Sequence, residues 1–97
     1  MKSIMQTDKT YCYLCRKPLS EPLDEHHVFF GPLKTASERY GLKVYLHHFS
    51  CHIFGKRSVH VNAQVCRALQ KKAQLVAMAH YGWNVEDFRA VYKRNFL

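Results

Sequence analysis

The sequence predicts a small α+β domain, and three observations indicate it. A chain of 97 residues is long enough for one domain, at the small end of what folds unaided. Two short segments in its first half have the residue pattern of β-strands, and a long stretch after His60 has the apolar spacing of a helix. Four cysteines, two of them in a Cys-x-x-Cys, indicate a metal ion as the additional staple that short chains often need.

The first half of the chain is predicted to hold a tail, two strands and a helical turn. Residues 1–10 are polar and are expected to form a flexible tail. The β-branched and aromatic run 27–30 predicts a strand, which Gly31-Pro32 ends. A helical turn is predicted over 35–40. Residues 42–46 then alternate like a half-buried strand, which would pair antiparallel with the first one.

Two helices are predicted in the second half of the chain. Asn62 is a suitable N-cap for a long helix that ends near Gly82. Asn84 can cap a second helix that runs from Val85 to about Lys93. The spacing of the long helix predicts an apolar face of Val65, Leu69, Ala73 and Val76, and a polar side with Arg67, Lys71 and Gln74.

The composition is strongly basic. Lys and Arg number 15 and Asp and Glu 7, which gives a formal net charge of +8 and a pI of about 9.5. Six of these eight net charges lie after His52. Such a charge is typical of polyanion binders, so the sequence predicts DNA as the partner, against the alternative of a solvated basic surface. The residues expected to contact the DNA backbone are Lys56, Arg57, Arg67 and Lys71.

The chain is predicted to act in a reducing compartment. No apolar run approaches the roughly 20 residues of a membrane span, and the polar first ten residues lack the apolar core of a secretory signal. We therefore expect no membrane association and a cytoplasmic location, where cysteines serve as thiolate ligands more often than as disulfides. Cys66, inside the long helix, is expected to be a small buried apolar residue.

The cysteine pattern predicts a structural zinc site. Cys12 and Cys15 have the spacing that lets two thiolates reach one zinc ion from a tight turn. His48 and Cys51, again two residues apart, are expected to complete the tetrahedral set, with His47 as the alternative to His48. A redox dithiol and free thiols are weaker alternatives, because nothing in the sequence predicts a thioredoxin-like strand and helix around the motif.

The histidines are clustered, and their arrangement suits metal-assisted chemistry. His26 and His27 are adjacent at the start of the predicted strand, His52 lies in the irregular segment 47–60, and His60 ends that segment. Neighbours on a strand point to opposite faces. One imidazole can therefore hold a metal ion while the other accepts a proton from water, the division of labour that phosphodiester hydrolysis needs.

Four segments carry a more specific pattern: EHHVFFGP at 25–32, SERYGLKVYL at 37–46, Cys51-His52, and VHVN at 59–62. This pattern closely resembles that of a group of small phage and prophage HNH endonucleases, and the resemblance covers most of the chain from Cys12 to the C-terminus. It implies one nuclease domain over 11–97. Within it lies a ββα-metal (His-Me finger) core with a zinc knuckle at about 11–62, followed by two C-terminal helices at about 63–97.

The resemblance also implies roles for individual residues. His27 would be the general base, and one catalytic divalent ion (Mg²⁺, Mn²⁺, Ni²⁺ or Zn²⁺) would be held by His26, His52 and His60. The structural zinc would take Cys12, Cys15 and Cys51. The implied substrate is DNA, other phage proteins are further expected partners, and the location is the cytoplasm of a bacterial host.

Two departures from the family pattern are visible. The fourth zinc position is usually Cys, whereas here the segment after Leu46 is one residue longer and offers His47 or His48. The middle Asn of the family name is absent from the segment YGLK at 40–43. The alternative to a nuclease is a non-catalytic, zinc-stabilised DNA-binding or adaptor module, which would need the cysteines but not the paired histidines.

Overall fold

Two antiparallel strands form the centre of the computed structural model, which describes residues 1–17, 21–56 and 58–97. Strand β1 is Leu23–His27 and strand β2 is Lys43–His47, with Leu23 opposite His47 and His27 opposite Lys43. The strand predicted over 27–30 therefore begins where β1 ends. The reason is that Phe29 leaves the ladder: its backbone N–H donates to the Ser37 hydroxyl, which in turn donates to the Phe29 carbonyl.

Strand β2 is buried along its whole length rather than on alternate residues. The N-terminal segment covers part of it, because the backbone N–H of Tyr45 donates to the side-chain oxygen of Gln6. Tyr13 adds a second bond, from its N–H to the Tyr45 carbonyl. The segment 1–10, expected to be a flexible tail, thus contains buried residues, Ser3 and Gln6, that are hydrogen-bonded to the sheet.

The short helix α1, Lys34–Tyr40, follows a single 3₁₀ turn and connects the two strands. It agrees with the helical turn predicted over 35–40. Gly41 ends it in the left-handed conformation, at φ 72°, where a side chain would be strained. A Cβ at this position would also lie 2.6 Å from the Lys2 carbonyl oxygen, so only glycine allows the N-terminal segment to approach this closely.

Helices α2, Ala63–Tyr81, and α3, Val85–Tyr92, begin at the predicted caps. The Asn62 side chain accepts from the first-turn amides of α2, and Asn84 forms a reciprocal capping box with Asp87. One residue of α2 departs from the pattern. Gln74, expected on the polar side, is fully buried because its amide bonds the C-terminal segment.

The helices pack around an aromatic cluster next to the strands. The Phe29 ring lies 5.7 Å from that of Phe88 and 4.6 Å from the rings of both Tyr92 and Phe96. Burial of these large rings supplies much of the hydrophobic stabilisation available to so short a chain. The architecture is a small α+β fold, as predicted. No helix among the described residues has the length and apolarity needed to cross a membrane.

Candidate metal centres

The first candidate centre is a cluster of three thiols and one imidazole. Ligand atoms of Cys12, Cys15, His47 and Cys51 all lie within 4.8 Å of one another. A tight turn places the first two thiols, since the Arg16 N–H donates to the Cys12 carbonyl. We call these four residues the cysteine cluster. Its donor set is that of a structural zinc site, so the cluster could hold a zinc ion.

The fourth member of the cysteine cluster is His47, so the preference for His48 was wrong. His47 is the last residue of β2, is 2% exposed, and has its Nδ1 3.3 Å from the Cys15 sulfur. His48 begins the next element, and its Nδ1 instead bonds Asp24. Side chains of consecutive residues diverge as β2 gives way to the next turn, and only the first imidazole faces the thiols.

A single π-helical turn, His48–Ile53, supplies the remaining cysteine, and we call it the π turn. Its wide winding is closed by bonds from the N–H groups of Phe54 and Gly55 to the Phe49 carbonyl. At its start, the Glu21 carboxylate accepts from the free amides of Phe49 and Ser50. Gly55 follows the turn and must be glycine, because a Cβ there would collide with the Ser50 carbonyl.

The thiols of the cysteine cluster differ in acidity. Burial tends to raise the pKa of Cys12, but hydrogen bonds from the backbone amides of Cys15 and His47, together with the Cys51 thiol, bring it below its ordinary value. Burial, followed by the bond to Cys12, raises the pKa of Cys51 to about 12. Cys12 is thus a more acidic thiol than Cys51, and a bound cation would favour loss of the protons from all the thiols together.

The second candidate centre is formed by His26, His52 and His60, which we call the three-histidine cluster. Their ligand atoms lie within 4.8 Å of one another, close enough to share one metal ion. His52 Nε2 and His60 Nε2 are 3.1 Å apart. His26 Nε2 is buried without a hydrogen-bond partner among the described residues. A buried nitrogen without a partner is costly, and a cation that all three nitrogens bind would satisfy it, so the residues fit a divalent ion.

Backbone pairing holds the rings of this cluster in place, and burial keeps His26 uncharged. The N–H of His60 donates to the carbonyl of His52 at 3.3 Å, which ties the two rings together. Phe30 covers the site, with its ring 6.1 Å from that of His26 and 5.7 Å from that of His60. Burial first, and the neighbouring imidazoles second, lower the pKa of His26 to about 3, so it is neutral at pH 7, as a metal ligand must be.

His27 lies apart from both clusters, on the opposite face of β1 from His26. Its Nε2 is 3.2 Å from a carboxylate oxygen of Glu38 and 3.7 Å from one of Glu25. The Lys43 ammonium bonds the same Glu38 carboxylate at 2.9 Å. His27 also lines a surface pocket of about 570 Å³, whose other lining residues are Lys34, Thr35, Glu38 and Arg39.

Two carboxylates with direct contacts to these histidines were not foreseen from the sequence. Asp24 accepts hydrogen bonds from both His48 and His52. Burial tends to raise its pKa, but these two bonds, His52 first, bring the pKa below its ordinary value. The period of β1 could have indicated Asp24, two residues before His26 and therefore on the same face. Glu38 gave no such signal, because it meets His27 only through the packing of α1.

The basic residues expected at the DNA backbone are only partly described. Lys56 is exposed just after the π turn, and Arg67 and Lys71 are exposed on α2. Arg57 lies outside the described residues. The Lys56 carbonyl accepts from the Asn62 side chain, which ties this segment to the start of α2. Lys34 and Arg39, in the pocket of His27, are two basic residues that the sequence did not single out.

Comparisons with known proteins give no match: no family model fits the chain, and no curated protein or solved structure is significantly similar to it. The donor atoms themselves describe the chemistry. Three thiols and one imidazole suit zinc, and three imidazoles suit first-row metals such as Zn²⁺ or Ni²⁺ better than Mg²⁺ or Mn²⁺, which prefer oxygen ligands.

Proposed function

We propose that the protein is a metal-dependent endonuclease of the HNH type that hydrolyses phosphodiester bonds in DNA. The observation that carries this proposal is the three-histidine cluster, in which three imidazoles converge within 4.8 Å of one another with no carboxylate among them. A site closed by four protein ligands would be structural, whereas three ligands leave positions for water and a phosphate oxygen. Strand β1, which carries His26, its partner β2, and the π turn, which carries His52, would then form a ββα-metal core.

When bound, the divalent ion would polarise the phosphate and stabilise the leaving oxygen. The chain's own residues would bind and orient it. Burial keeps His26 neutral, the backbone bond between His60 and His52 holds their rings side by side, and Phe30 limits water on one side. Such an arrangement needs little rearrangement when the substrate arrives, which is how preorganised sites lower a barrier.

His27 is proposed as the group that takes a proton from the attacking water. It is the last residue of β1, so a DNA strand that crosses the end of the hairpin would meet both the His26 face and the His27 face. Glu38 would hold the His27 ring, and the positively charged side chains of Lys34 and Arg39 nearby would attract the phosphate backbone. The net charge of +8 supports DNA over a neutral substrate.

The first experiment is plasmid nicking by wild type and His27→Ala, with Mg²⁺, Mn²⁺, Ni²⁺ or Zn²⁺ added to zinc-loaded protein. We expect nicking by wild type and a loss of at least about 100-fold in the variant, because general-base catalysis contributes about that much. His80→Ala is the matched control, since His80 is exposed in the last turn of α2 and should be dispensable. Equal nicking by His27→Ala and wild type would contradict the role of His27.

One observation favours a second function. His27 does not belong to the three-histidine cluster and is already hydrogen-bonded to Glu38, as in a purely structural network. A zinc-stabilised DNA-binding or adaptor module would keep the cysteine cluster and the basic surface without catalysis. Tight, salt-sensitive DNA binding by a wild-type protein that nicks no DNA with any of the four ions would favour this module over the nuclease.

A further inference from the structure

One carboxylate oxygen joins two histidines beside the three-histidine cluster. Asp24 Oδ2 lies 2.8 Å from His52 Nδ1 and 2.5 Å from His48 Nδ1. The Asp24 side chain is 29% exposed and that of His52 15%, so water competes only in part for these bonds. Hydrogen bonds to an ionised acceptor are shorter and stronger than neutral ones, which agrees with these distances.

The chemistry of the acceptor fixes the state of both rings. An ionised carboxylate can only accept, so each Nδ1 must carry the proton. In a neutral imidazole the lone pair is then on Nε2. For His52 this nitrogen is the one that lies 3.1 Å from His60 Nε2, inside the three-histidine cluster. Without Asp24, the His52 ring could turn over or exchange tautomers, and its lone pair would point away from the cluster.

We infer that Asp24 is a positioning residue: it fixes His52 in the Nδ1–H tautomer and keeps Nε2 directed toward His26 and His60. This inference rests on the metal centre of the proposed function, and it assigns a role that the ligands alone do not explain. Metal-binding histidines generally donate their second N–H to such a partner, which fixes the ring orientation.

The fold supports this role through the backbone of β1. Asp24 and His26 are two residues apart on one strand, so their side chains share a face, and Asp24 is paired with Leu46 of the buried β2. The carboxylate is therefore delivered from a rigid element. His48 provides a second donor to the same oxygen, and its own Nε2 is not part of the three-histidine cluster, which makes it a control.

The decisive experiment measures the tautomer of His52 by long-range ¹H–¹⁵N NMR on protein with one equivalent of zinc, without a second metal or DNA. Wild type should show the Nδ1–H form. Asp24→Ala should show the Nε2–H form or a mixture, and Asp24→Asn, which keeps an oxygen acceptor, should lie between them. A loss of packing alone would not change the tautomer, so this measurement separates positioning from stability.

The second measurement is the affinity of the same proteins for Co²⁺, by calorimetric titration. Asp24→Ala should bind Co²⁺ about 10- to 100-fold more weakly, the usual cost of losing such a partner. His48→Ala should stay within about threefold of wild type. An Asp24→Ala protein with an unchanged tautomer and affinity would overturn the inference, and so would an equal loss in His48→Ala. If wild type nicks no DNA but Asp24 still sets the tautomer, the nuclease proposal fails and the positioning role stands.

Discussion

At the scale of single side chains, His26 is tightly constrained. It is 3% exposed, and its Nε2 has no protein partner among the described residues. Burial lowers its pKa, and three other imidazoles, those of His52, His60 and His27, lower it further. Protonation of His26 would place a positive charge in a buried site beside other imidazoles, and burial and these neighbours both disfavour it. The folded protein therefore keeps His26 neutral far below the pH at which an exposed histidine gains its proton.

This constraint predicts a pH dependence of stability. The pKa of His26 is about 3 in the folded protein against an ordinary 6.5, so the unfolded chain binds more protons between these values. The free energy of unfolding should fall as the pH drops below about 6.5, by up to about 1.4 kcal/mol per unit. Urea unfolding of zinc-loaded wild type and His26→Gln over this range isolates the effect, since loss of zinc affects both proteins. Parallel pH profiles would contradict it.

Single residues were predictable where a local pattern defines them. The family resemblance implied that His26, His52 and His60 share one site, and the structure brings the three imidazoles together. The choice between His47 and His48 could not be made locally, because it depends on where β2 ends and the π turn begins. The partner of His27 depended on helix packing, which residue spacing does not encode.

At the scale of elements, the π turn links the two candidate centres. Cys51 faces the cysteine cluster and the next residue, His52, faces the three-histidine cluster. The carbonyls of both residues then accept from Val59 and His60, so the second centre is built directly on the backbone of the first. A change in the winding of the π turn would move a ligand of each centre at once.

We therefore expect Cys12→Ser to weaken both centres. Loss of a zinc thiolate should lower the melting temperature markedly, because metal binding and folding are coupled in small zinc sites. It should also reduce Co²⁺ affinity at the three-histidine cluster by about tenfold or more, as expected when support of a ligand is lost. Thermal melting and calorimetric titration provide the measurements. Cys66→Ser is the control, since Cys66 is half-buried on α2 outside both clusters.

A soluble Cys12→Ser protein with unchanged melting would contradict the structural role of the cysteine cluster. Unchanged Co²⁺ affinity together with lowered melting would show instead that the two centres are independent. The zinc content of each protein, measured beforehand, shows whether a change in melting or affinity accompanies loss of zinc.

Elements with strong local signals were predicted well. The asparagine caps fixed the starts of α2 and α3, and Gly82 ends α2 in the left-handed conformation. Strand β1 was misplaced because the aromatic run that follows it looks more strand-like than Leu23–His27 itself. The π turn was not predictable, since its winding depends on the Glu21 carboxylate, which lies far away in sequence.

At the scale of the whole molecule, two buried glutamines attach the outer segments to the core. Gln6 bonds the backbone of β2 and of Tyr11. Gln74 donates to the Asn95 side chain at 2.8 Å and accepts from the Phe96 N–H at 2.7 Å. Each supplies both donors and an acceptor from one buried amide, so it can hydrogen-bond an irregular segment and the element against which that segment packs.

Gln74→Leu should therefore destabilise the fold although leucine is apolar and similar in size. The half-buried Phe96 N–H would lose its acceptor and the exposed Asn95 oxygen its donor, which should cost about 1 kcal/mol, the low end for an unsatisfied group. Urea unfolding measures this loss. Gln70→Leu, one turn earlier and only half-buried, is the matched control and should change the stability by less than about 0.5 kcal/mol. Equal effects of the two substitutions would show that the buried amide is not what matters.

The overall class was predictable because strand and helix patterns and a basic composition are properties of the whole sequence. The burial of Gln74 and the docking of residues 1–10 were not, since both depend on contacts between segments far apart in the chain. Polar composition suggested a free tail and a solvated helix face, whereas hydrogen bonding placed both Gln6 and Gln74 inside.

The single tryptophan, Trp83, occupies the turn between α2 and α3, with its ring 5.0 Å from that of Tyr40 and 4.9 Å from that of Tyr81. It therefore lies at the junction of all three helices and belongs to neither metal cluster. Its fluorescence is a built-in reporter of helix docking. If chelation changes the emission of Trp83, ions bound around the π turn also stabilise the packing of the three helices, which contribute no ligand to either cluster.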